Sequence, residues 1–474
     1  MNRYNYPIYT IILLFFSTAL ALSSLPSVTN YSLNLHLFLK EQQLSAETRI
    51  TVSNSTDSTV TALPFLLYRL LEVTSIQDNF GKPLEFSQNI VSFSDERTLQ
   101  CNSITIHLAI PLKPKESITL SIKYTGSMLG YTEVMQYVHD RIDEEFTLLR
   151  PDAFAYPMLS FPSYESLSNA YQHLYTFHCE VSVPKGYIVA GGGLLKSATA
   201  QNDTTIFVYE SKIPTWRIDI AIAKFITIED KPKKLFVYAL PADSSGAVRV
   251  LKGMRDVIRF YSSQFGAVPN YQGYTAIQIP DGWGSQASDY YFLQSSAAFR
   301  DSTKLTEVYH EIGHTWNVKA KPSVARCRYF DEAFASYFEA LALKSFQGNQ
   351  DYLTEMEHSR AIFTKWATRD KKYSDTPISD YGKNEIGQLS YSKGAWSLYV
   401  LHQVLGDTVF NTLIHQFLSV FAGKECDFKD FQAIAERVSN IKLNIFFNEW
   451  IYGTESSHLL IENIPIQSIV ERYR

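Results

Sequence analysis

The spacing of hydrophobic residues changes along this chain, and that change constrains the fold more than any other feature. In the first half, apolar and polar residues alternate, which is the period of a half-buried β-strand. The clearest runs are Leu33 to Leu39, Ile104 to Ile110 and Ile118 to Tyr124. From about Val248 the spacing becomes helical, and helical spacing dominates beyond Leu305. The pattern predicts a multidomain α+β chain, in which an antiparallel β-domain precedes a mainly helical domain.

The domain boundaries follow from the same pattern and from one polar segment. A chain of 474 residues, 45% of them hydrophobic, has enough apolar material for more than one core. Residues 230–234 have the polar sequence DKPKK, and its proline favours a break between structural units. We therefore predict a signal peptide at residues 1–21, a β-domain at 22–230 and a catalytic domain at 231–474.

The N-terminus predicts export. A mostly apolar run from Ile8 to Leu22 follows a short polar start, and Ala19-Leu20-Ala21 provides a small-x-small cleavage pattern. The run is short for a membrane span, which needs about 20 residues. We expect a secreted or periplasmic protein with no stable membrane span after cleavage. A membrane anchor formed by an uncleaved signal is the alternative.

The net charge and the cysteine spacing argue against two classes of function, nucleic-acid binding and thiolate zinc binding. The formal net charge is −5 and basic residues form only short clusters, so we expect no nucleic-acid partner. The cysteines are far apart and form no C-x-x-C pair, which argues against a thiolate zinc site. Disulfides and free buried thiols both remain open for these four residues: Cys101, Cys179, Cys327 and Cys426.

The strongest functional signal is the sequence HEIGH on an amphipathic helical pattern. His310 and His314 are four residues apart, so both imidazoles project from one helix face and can bind a single ion. Glu311 is offset by about 100° and can reach a water on that ion without being a ligand. The alternative is an exposed helix face that happens to carry a histidine pair.

A second acidic cluster supplies a candidate third ligand. Glu332 opens another apolar helical pattern after His314. A His, His, Glu set with a fourth position open for water is the form of a catalytic zinc site, so we predict one Zn²⁺ per chain. The alternative for Glu332 is a carboxylate that is favoured at a helix start. Later, Tyr391 precedes a further helix and is suited to stabilise an oxyanion, although most tyrosines serve packing.

These three segments, in this order, resemble the aminopeptidase N family of zinc metallopeptidases, the gluzincins related to leukotriene A hydrolase. The family pattern is H-E-x-x-H, then 18 residues, then Glu within N-E-G-F-A-x-Y, and later x-Y-x-K-G-A. Here 17 residues separate His314 from Glu332, and SYSKGA places Tyr391 at the catalytic tyrosine. The resemblance implies a saddle-like N-terminal β-domain and a thermolysin-like catalytic domain. We expect a short form of the family, without its large C-terminal helical domain.

One segment departs from the family. Its G-x-M-E-N loop uses a Glu to bind the free amino group of the substrate, whereas this chain has Trp283-Gly284-Ser285-Gln286-Ala287 in that place. Gln286 falls at the Glu position, and its amide can still accept a hydrogen bond from an ammonium with weaker electrostatics. We predict that Gln286 and Gly284 contact substrate. The segment after His314 is also similar to the related glycyl aminopeptidases.

The sequence therefore predicts an exported zinc-dependent peptidase that acts on peptides or proteins and is aminopeptidase-like. Glu311 is the predicted base and Tyr391 the predicted oxyanion stabiliser. The altered loop leaves a zinc endopeptidase as one alternative. A noncatalytic peptide-binding protein of the same fold is the other, although the ligands, base and tyrosine are all present.

Overall fold

The computed structural model describes residues 25–131, 137–268, 271–288 and 290–474. The predicted signal peptide at residues 1–21 lies outside the described residues. Among the described helices, none combines the length and apolar character that crossing a membrane requires. All four cysteines are buried, and none is in a disulfide.

The N-terminal part consists of strands and one short helix, as the alternating pattern predicts. The strands are β1 Ser27–Phe38, β2 Gln43–Ser53, β3 Val60–Leu67, β4 Leu71–Gln77, β5 Phe86–Ser92, β6 Gln100–Leu112, β7 Ser117–Ser127, β8 Thr147–Leu149, β9 Met158–Leu159, β10 Thr176–Pro184, β11 Ile188–Gly191, β12 Leu194–Gln201, β13 Thr204–Glu210 and β14 Ile220–Ala223. The helix α1 spans Tyr164–Ala170.

Most of these strands form two sheets that enclose one apolar core. The largest sheet has the order β12-β13-β10-β1-β2-β7-β4, and a second has the order β5-β6-β3-β9. Pairing is antiparallel except between β1 and β10, which run parallel. Leu33, Leu35 and Leu37 of β1 are buried, while the residues between them are exposed. The period-two pattern thus assigned the correct face of this strand.

The C-terminal part begins with a mixed sheet and continues as helices. Its strands are β15 Ile226–Asp230, β16 Leu235–Ala239, β17 Tyr274–Ile279, β18 Gln286–Ser288, β19 Tyr291–Ser295, β20 Lys319–Ala320 and β21 Glu425–Cys426. Its helices are α2 Ser244–Phe265, α3 Ser296–Arg300, α4 Leu305–Gly313, α5 Pro322–Ala325, α6 Phe334–Phe346, α7 Asn349–Ala367, α8 Lys371–Ser374, α9 Lys393–Leu405, α10 Asp407–Val420, α11 Phe428–Ser439, α12 Asn444–Phe447, α13 Glu455–Ile461 and α14 Ile466–Glu471. Two π-helical segments span Tyr329–Ala333 and Asn448–Tyr452.

The helices pack on one face of the sheet β15-β16-β17-β19-β18 and around one another. The helical spacing that begins near Val248 corresponds to α2, whose Val250, Met254 and Val257 are fully buried. The predicted domain boundary at residues 230/231 falls between β15 and β16, which pair with each other in this sheet. The predicted fold class, a β-rich domain followed by a mainly helical domain, is confirmed.

Buried charges connect the two parts. Arg150, which follows β8, is fully buried and donates to both carboxylate oxygens of Asp140 at 3.1 and 2.9 Å. The same guanidinium donates to the carbonyl oxygens of Trp283 at 2.7 Å and Gly284 at 3.3 Å. The β-domain therefore holds the loop that leads into β18.

Candidate metal centre and substrate cavity

The histidine pair lies at the C-terminal end of α4. Val308 and Ile312 anchor this helix in the core, which leaves the opposite face for polar residues. His310 lies in the last turn and His314 begins the 3₁₀ turn that follows, with their ring centroids 4.9 Å apart. The helix periodicity thus places both imidazoles on one face, as the sequence predicts.

Close packing of α4 on α6 brings this face towards the second acidic cluster. Gly313 lies between the two histidines, and a Cβ at this position would lie 3.3 Å from the Cα of Ala335. A side chain would require the neighbouring backbone to move by a few tenths of an ångström, so the small residue suits this close approach.

Glu332 lies in the π-helical segment Tyr329–Ala333 and is only 3% exposed. Its Oε2 atom is 3.1 Å from His310 Nε2 and 3.5 Å from His314 Nε2. One ligand atom from each of these residues lies within 4.8 Å of the others. In the described part of the chain, no other group of three His, Cys, Asp or Glu residues converges in this way.

The donor set fits a catalytic zinc ion. Two imidazole nitrogens and one carboxylate oxygen are the ligands of thermolysin-type sites, which keep a fourth position for water or substrate. All three side chains are held in place by the protein, because His310 and His314 lie on α4 and on the 3₁₀ turn that directly follows it, and Glu332 is fixed by its neighbours. These are the three residues that the sequence predicts as metal ligands.

Two residues that the sequence analysis did not identify support the ligands. Arg328 donates hydrogen bonds to Oε1 of Glu332 and, at 2.8 Å, to Asp331. Glu339 lies 3.3 Å from Nδ1 of His310 through its Oε2 atom. A carboxylate on the second nitrogen of a ligating histidine fixes the ring and its tautomer. Glu339 follows Glu332 by seven residues, which is about two helical turns. This spacing places both carboxylates on the same side and was the sequence signal that could have identified Glu339.

Burial and neighbouring charges shift the pKa values of this cluster. Burial alone would raise the pKa of Glu332, but the positive charge of Arg328 outweighs it and holds this pKa well below its usual value. Burial lowers the pKa of His314 to about 4. Burial also raises the pKa of Glu311 to about 8, with nearby carboxylates adding to the rise. The environment thus favours an ionised Glu332 and a neutral His314, the forms that bind a metal ion.

Glu311 and Tyr391 flank the cluster. Glu311 is 8% exposed, and no described residue forms a hydrogen bond with its carboxylate. Tyr391 ends the 3₁₀ turn Gly387–Tyr391, immediately before α9, and its ring lies parallel to His310 at a centroid distance of 5.7 Å. Close packing again permits this arrangement, since a Cβ on Gly394 would lie 2.7 Å from the Cβ of Ala333.

A cavity of about 450 Å³ opens beside these groups. It is lined by His310, Glu311 and Tyr391 together with residues from α4, α6, α7, the turn before α9 and the loop before β18. The additional lining residues are Ser285, Glu307, Ser336, Glu339, Glu355, His358, Ser359, Ile362, Trp366, Gln388, Leu389 and Ser392. The volume falls in the range of small-ligand pockets.

Gln286 and Gly284 lie next to this cavity without lining it. The Gln286 amide donates to Asp152 at 3.1 Å and accepts from Arg150 at 3.4 Å. Gly284 has a φ of +74° and presents its carbonyl to Arg150. Ser285, between them, is the residue of this loop that lines the cavity.

Comparison with known proteins gives a family and a fold. Residues 288–450 match the peptidase family M1 domain. A curated protein from Sulfurisphaera tokodaii, named "Probable aminopeptidase 2", is 24% identical over 303 residues, which cover 58% of this chain and 38% of that protein. The chain therefore spans well under half the length of this relative.

Solved structures cover almost the whole chain. A crystal structure of an M1 zinc metallopeptidase from Deinococcus radiodurans is 18% identical, has a TM-score of 0.60 and covers 92% of this chain and 94% of that chain. A structure of a mutant from the same organism, bound to a Tyr-Ser-Ala substrate, is 16% identical with the same TM-score and coverage. The likeness shows that the β-rich and helical parts together have the fold of M1 zinc metallopeptidases. The resemblance predicted from the sequence is confirmed.

Proposed function

We propose that this chain, which contains a peptidase family M1 domain at residues 288–450, is an exported zinc-dependent peptidase of the aminopeptidase type. The observation that carries the proposal is the convergence of His310, His314 and Glu332 beside one cavity that also contains Glu311 and Tyr391. Ligands, base and oxyanion donor are thus all available to a single bound peptide.

Zinc held by His310, His314 and Glu332 would polarise the peptide carbonyl and lower the pKa of the attacking water. Glu311 is adjacent to His310 in sequence and faces the same cavity, so its carboxylate accepts the proton of that water. The same carboxyl group then donates the proton to the leaving amine. Its freedom from other hydrogen bonds keeps both oxygens available for these transfers.

The hydroxyl of Tyr391 donates a hydrogen bond to the oxyanion that develops on the substrate carbonyl. The residue is 41% exposed and lines the cavity, so it is accessible to a bound peptide. Arg328 and Glu339 do not react; they hold Glu332 and His310 in position.

The aminopeptidase type is supported by the relatives. The Sulfurisphaera tokodaii relative is named as an aminopeptidase, and the Deinococcus radiodurans structure contains a tripeptide substrate. The second candidate, a zinc endopeptidase, is favoured by one observation: Gln286 stands where the family has the Glu that binds the amino group. The retained base and tyrosine argue against a noncatalytic peptide-binding protein.

The contact of Gln286 and Gly284 with substrate remains a prediction. Gln286→Glu should raise kcat/KM for free-amine peptides relative to N-acetylated ones if the amide binds the ammonium. An equal change for both substrate classes would instead assign Gln286 to bracing the loop through Arg150 and Asp152. Export likewise rests on the signal-like sequence of residues 1–21, and N-terminal sequencing of the secreted protein tests it.

The test of the peptidase function is Glu311→Gln. We expect this variant to keep its zinc and to lose hydrolysis, by a factor of about 10²–10⁴, because the amide keeps the shape of the side chain without its basicity. Hydrolysis at the parent's rate would remove Glu311 from the base role. A panel of free and N-acetylated peptides on the parent protein separates the two peptidase types, since an endopeptidase cleaves both equally.

A further inference from the structure

The cavity beside the metal ligands contains carboxylates that hydrolysis does not use. Glu307 lies on α4, Glu339 on α6 and Glu355 on α7, and all three line the cavity together with the base Glu311. None of the residues that line this cavity is a lysine or an arginine. The cavity lining therefore contains four glutamates and no lysine or arginine.

Two of these carboxylates have partners of their own. Glu307 accepts a hydrogen bond from Gln294 at 2.9 Å, and Glu339 pairs with His310. Glu355 differs, since no described residue forms a hydrogen bond or salt bridge with it, although the side chain is half-buried. His358 lies one helical turn further along α7 and also lines the cavity. Glu355 is therefore the carboxylate that is available to a ligand.

The electrostatics of this group favour a bound cation. Burial raises the pKa of Glu355, and the negative charge of Glu339 raises it further. Glu311, which is 8% exposed, faces the same cavity without a hydrogen-bond partner. Like charges in a partly desolvated space repel one another, so a positive group placed among them is stabilised.

The rest of the lining suits a long aliphatic stem. One wall of the cavity is apolar and consists of Ile362, Trp366 and Leu389. Ile362 and Trp366 are each 39% exposed. Lysine and arginine pack their methylene groups on such surfaces while the charged end reaches a polar partner. A free amino terminus carries the same charge but has no stem to cover these residues.

We propose that this cavity binds a lysine or arginine side chain of the peptide substrate, next to the bond that is cleaved, and that Glu355 recognises its positive charge. The proposal rests on the peptidase function proposed above, because it places the side chain in the cavity that the metal ligands line. It adds the substrate class, which neither the metal site nor the fold specifies.

The test compares lysine with norleucine, which has a similar stem and no charge. Peptide amides would contain lysine or norleucine on either side of the cleaved bond, each with a free and an acetylated amino terminus. The ratio of kcat/KM for lysine over norleucine is measured in the parent, in Glu355→Gln and in Glu357→Gln. Glu357 is the matched control, since it lies on the same helix, pairs with Arg360 and does not line the cavity.

Binding without turnover makes the test independent of catalysis. Calorimetry on zinc-loaded Glu311→Gln, with and without Glu355→Gln, gives the ratio of Kd values for the same peptides. If the parent protein hydrolyses no peptide while Glu311→Gln still binds lysine peptides selectively, the proposed function fails and the cavity assignment stands.

We expect a preference for lysine of about tenfold in the parent and in Glu357→Gln, falling towards one in Glu355→Gln. No preference for lysine in the parent, or the same preference in Glu355→Gln, would overturn the proposal. Glu355→Gln could instead lower only the ratio of kcat/KM for free over acetylated peptides and leave the ratio for lysine over norleucine unchanged. That result would also overturn the proposal, because Glu355 would then bind the amino terminus.

Discussion

At the scale of single residues, the metal centre depends on how Glu332 is held. Its Oε1 atom is occupied by Arg328, so only Oε2 points between the two histidine nitrogens. The positive charge of Arg328, next to Oε1, keeps the Glu332 carboxylate ionised in a buried site, and a metal ligand must be ionised. The ligand is thus oriented by a residue that never touches the metal position.

Tyr391→Phe tests the oxyanion role at this scale. Loss of the hydroxyl should lower kcat by about 10²–10³ with little change in KM, because the hydrogen bond forms only as charge develops. Zinc content should be unchanged. Steady-state kinetics with one peptide, together with metal analysis, checks both statements. Tyr452→Phe is the control, since it removes a hydroxyl from an exposed tyrosine that does not line the cavity; an equal loss in both variants would contradict the assignment.

At the scale of elements, close contacts between helices position the reacting groups. Gly313 lets α4 approach α6, and Gly394 lets the start of α9 approach the π-helical segment that contains Glu332. The insertion that makes a π-turn is often found at functional sites, and here it lies directly before α6. Small residues and one irregular turn therefore assemble ligands, base and tyrosine from three separate segments.

The start of α9 also contains a buried lysine, and its titration gives a pH prediction. The Lys393 side chain is fully buried, donates to Ser457 at 2.9 Å and lies over the ring of Phe363. Burial lowers the pKa of Lys393 to about 7, against the opposing effect of Glu455. The unfolded chain, with a lysine pKa of about 10.4, holds more protons from about pH 7 upwards, so this residue makes stability rise with pH in that window.

Lys393→Met should therefore raise the Tm more at pH 6 than at pH 9. The methionine keeps the apolar stem and removes the group that is costly to bury in its charged form. Thermal unfolding of parent and variant at the two pH values measures the difference. Lys424→Met, at an exposed lysine, should shift the Tm equally at both. An equal shift for Lys393→Met would contradict the lowered pKa.

At the scale of the whole molecule, the buried guanidinium of Arg150 connects the β-domain to the catalytic part. Arg150 links Asp140 to the loop at Trp283 and Gly284, and Arg217 pairs with Asp152 and Asp219. Both guanidinium groups are almost completely buried. The loop that contributes Ser285 to the cavity is therefore braced from the other domain.

Arg150→Met should lower the free energy of unfolding by about 3–5 kcal/mol, because it leaves Asp140 as an unpaired buried charge. The comparable change Arg141→Met removes an ion pair with Asp143 that is partly exposed, and should cost about 0–1 kcal/mol. Urea denaturation of the two variants gives both values. Equal losses would show that Arg150 contributes no more than a surface residue.

The sequence predicted the parts of this account that depend on local patterns. Period-two alternation gave the buried face of β1, and helix periodicity placed His310 and His314 on one face. Arg328 and the domain-linking Arg150 were not predicted, because their partners depend on the tertiary arrangement and not on spacing. Glu332 lies in the π-helical segment Tyr329–Ala333, whose wider turn no propensity pattern reports. Glu355 was not predicted either, because only the tertiary arrangement brings α7 to the cavity.

The central claim is that His310, His314 and Glu332 hold one zinc ion on which hydrolysis depends. Titration of the metal-stripped protein with zinc, while peptide hydrolysis is followed, tests it most directly. We expect no hydrolysis before zinc is added, a rise that ends at one equivalent per chain, and no comparable rise in Glu332→Ala, because an open catalytic site has no spare ligand. Full hydrolysis by the metal-free protein, or a normal titration by Glu332→Ala, would contradict the claim.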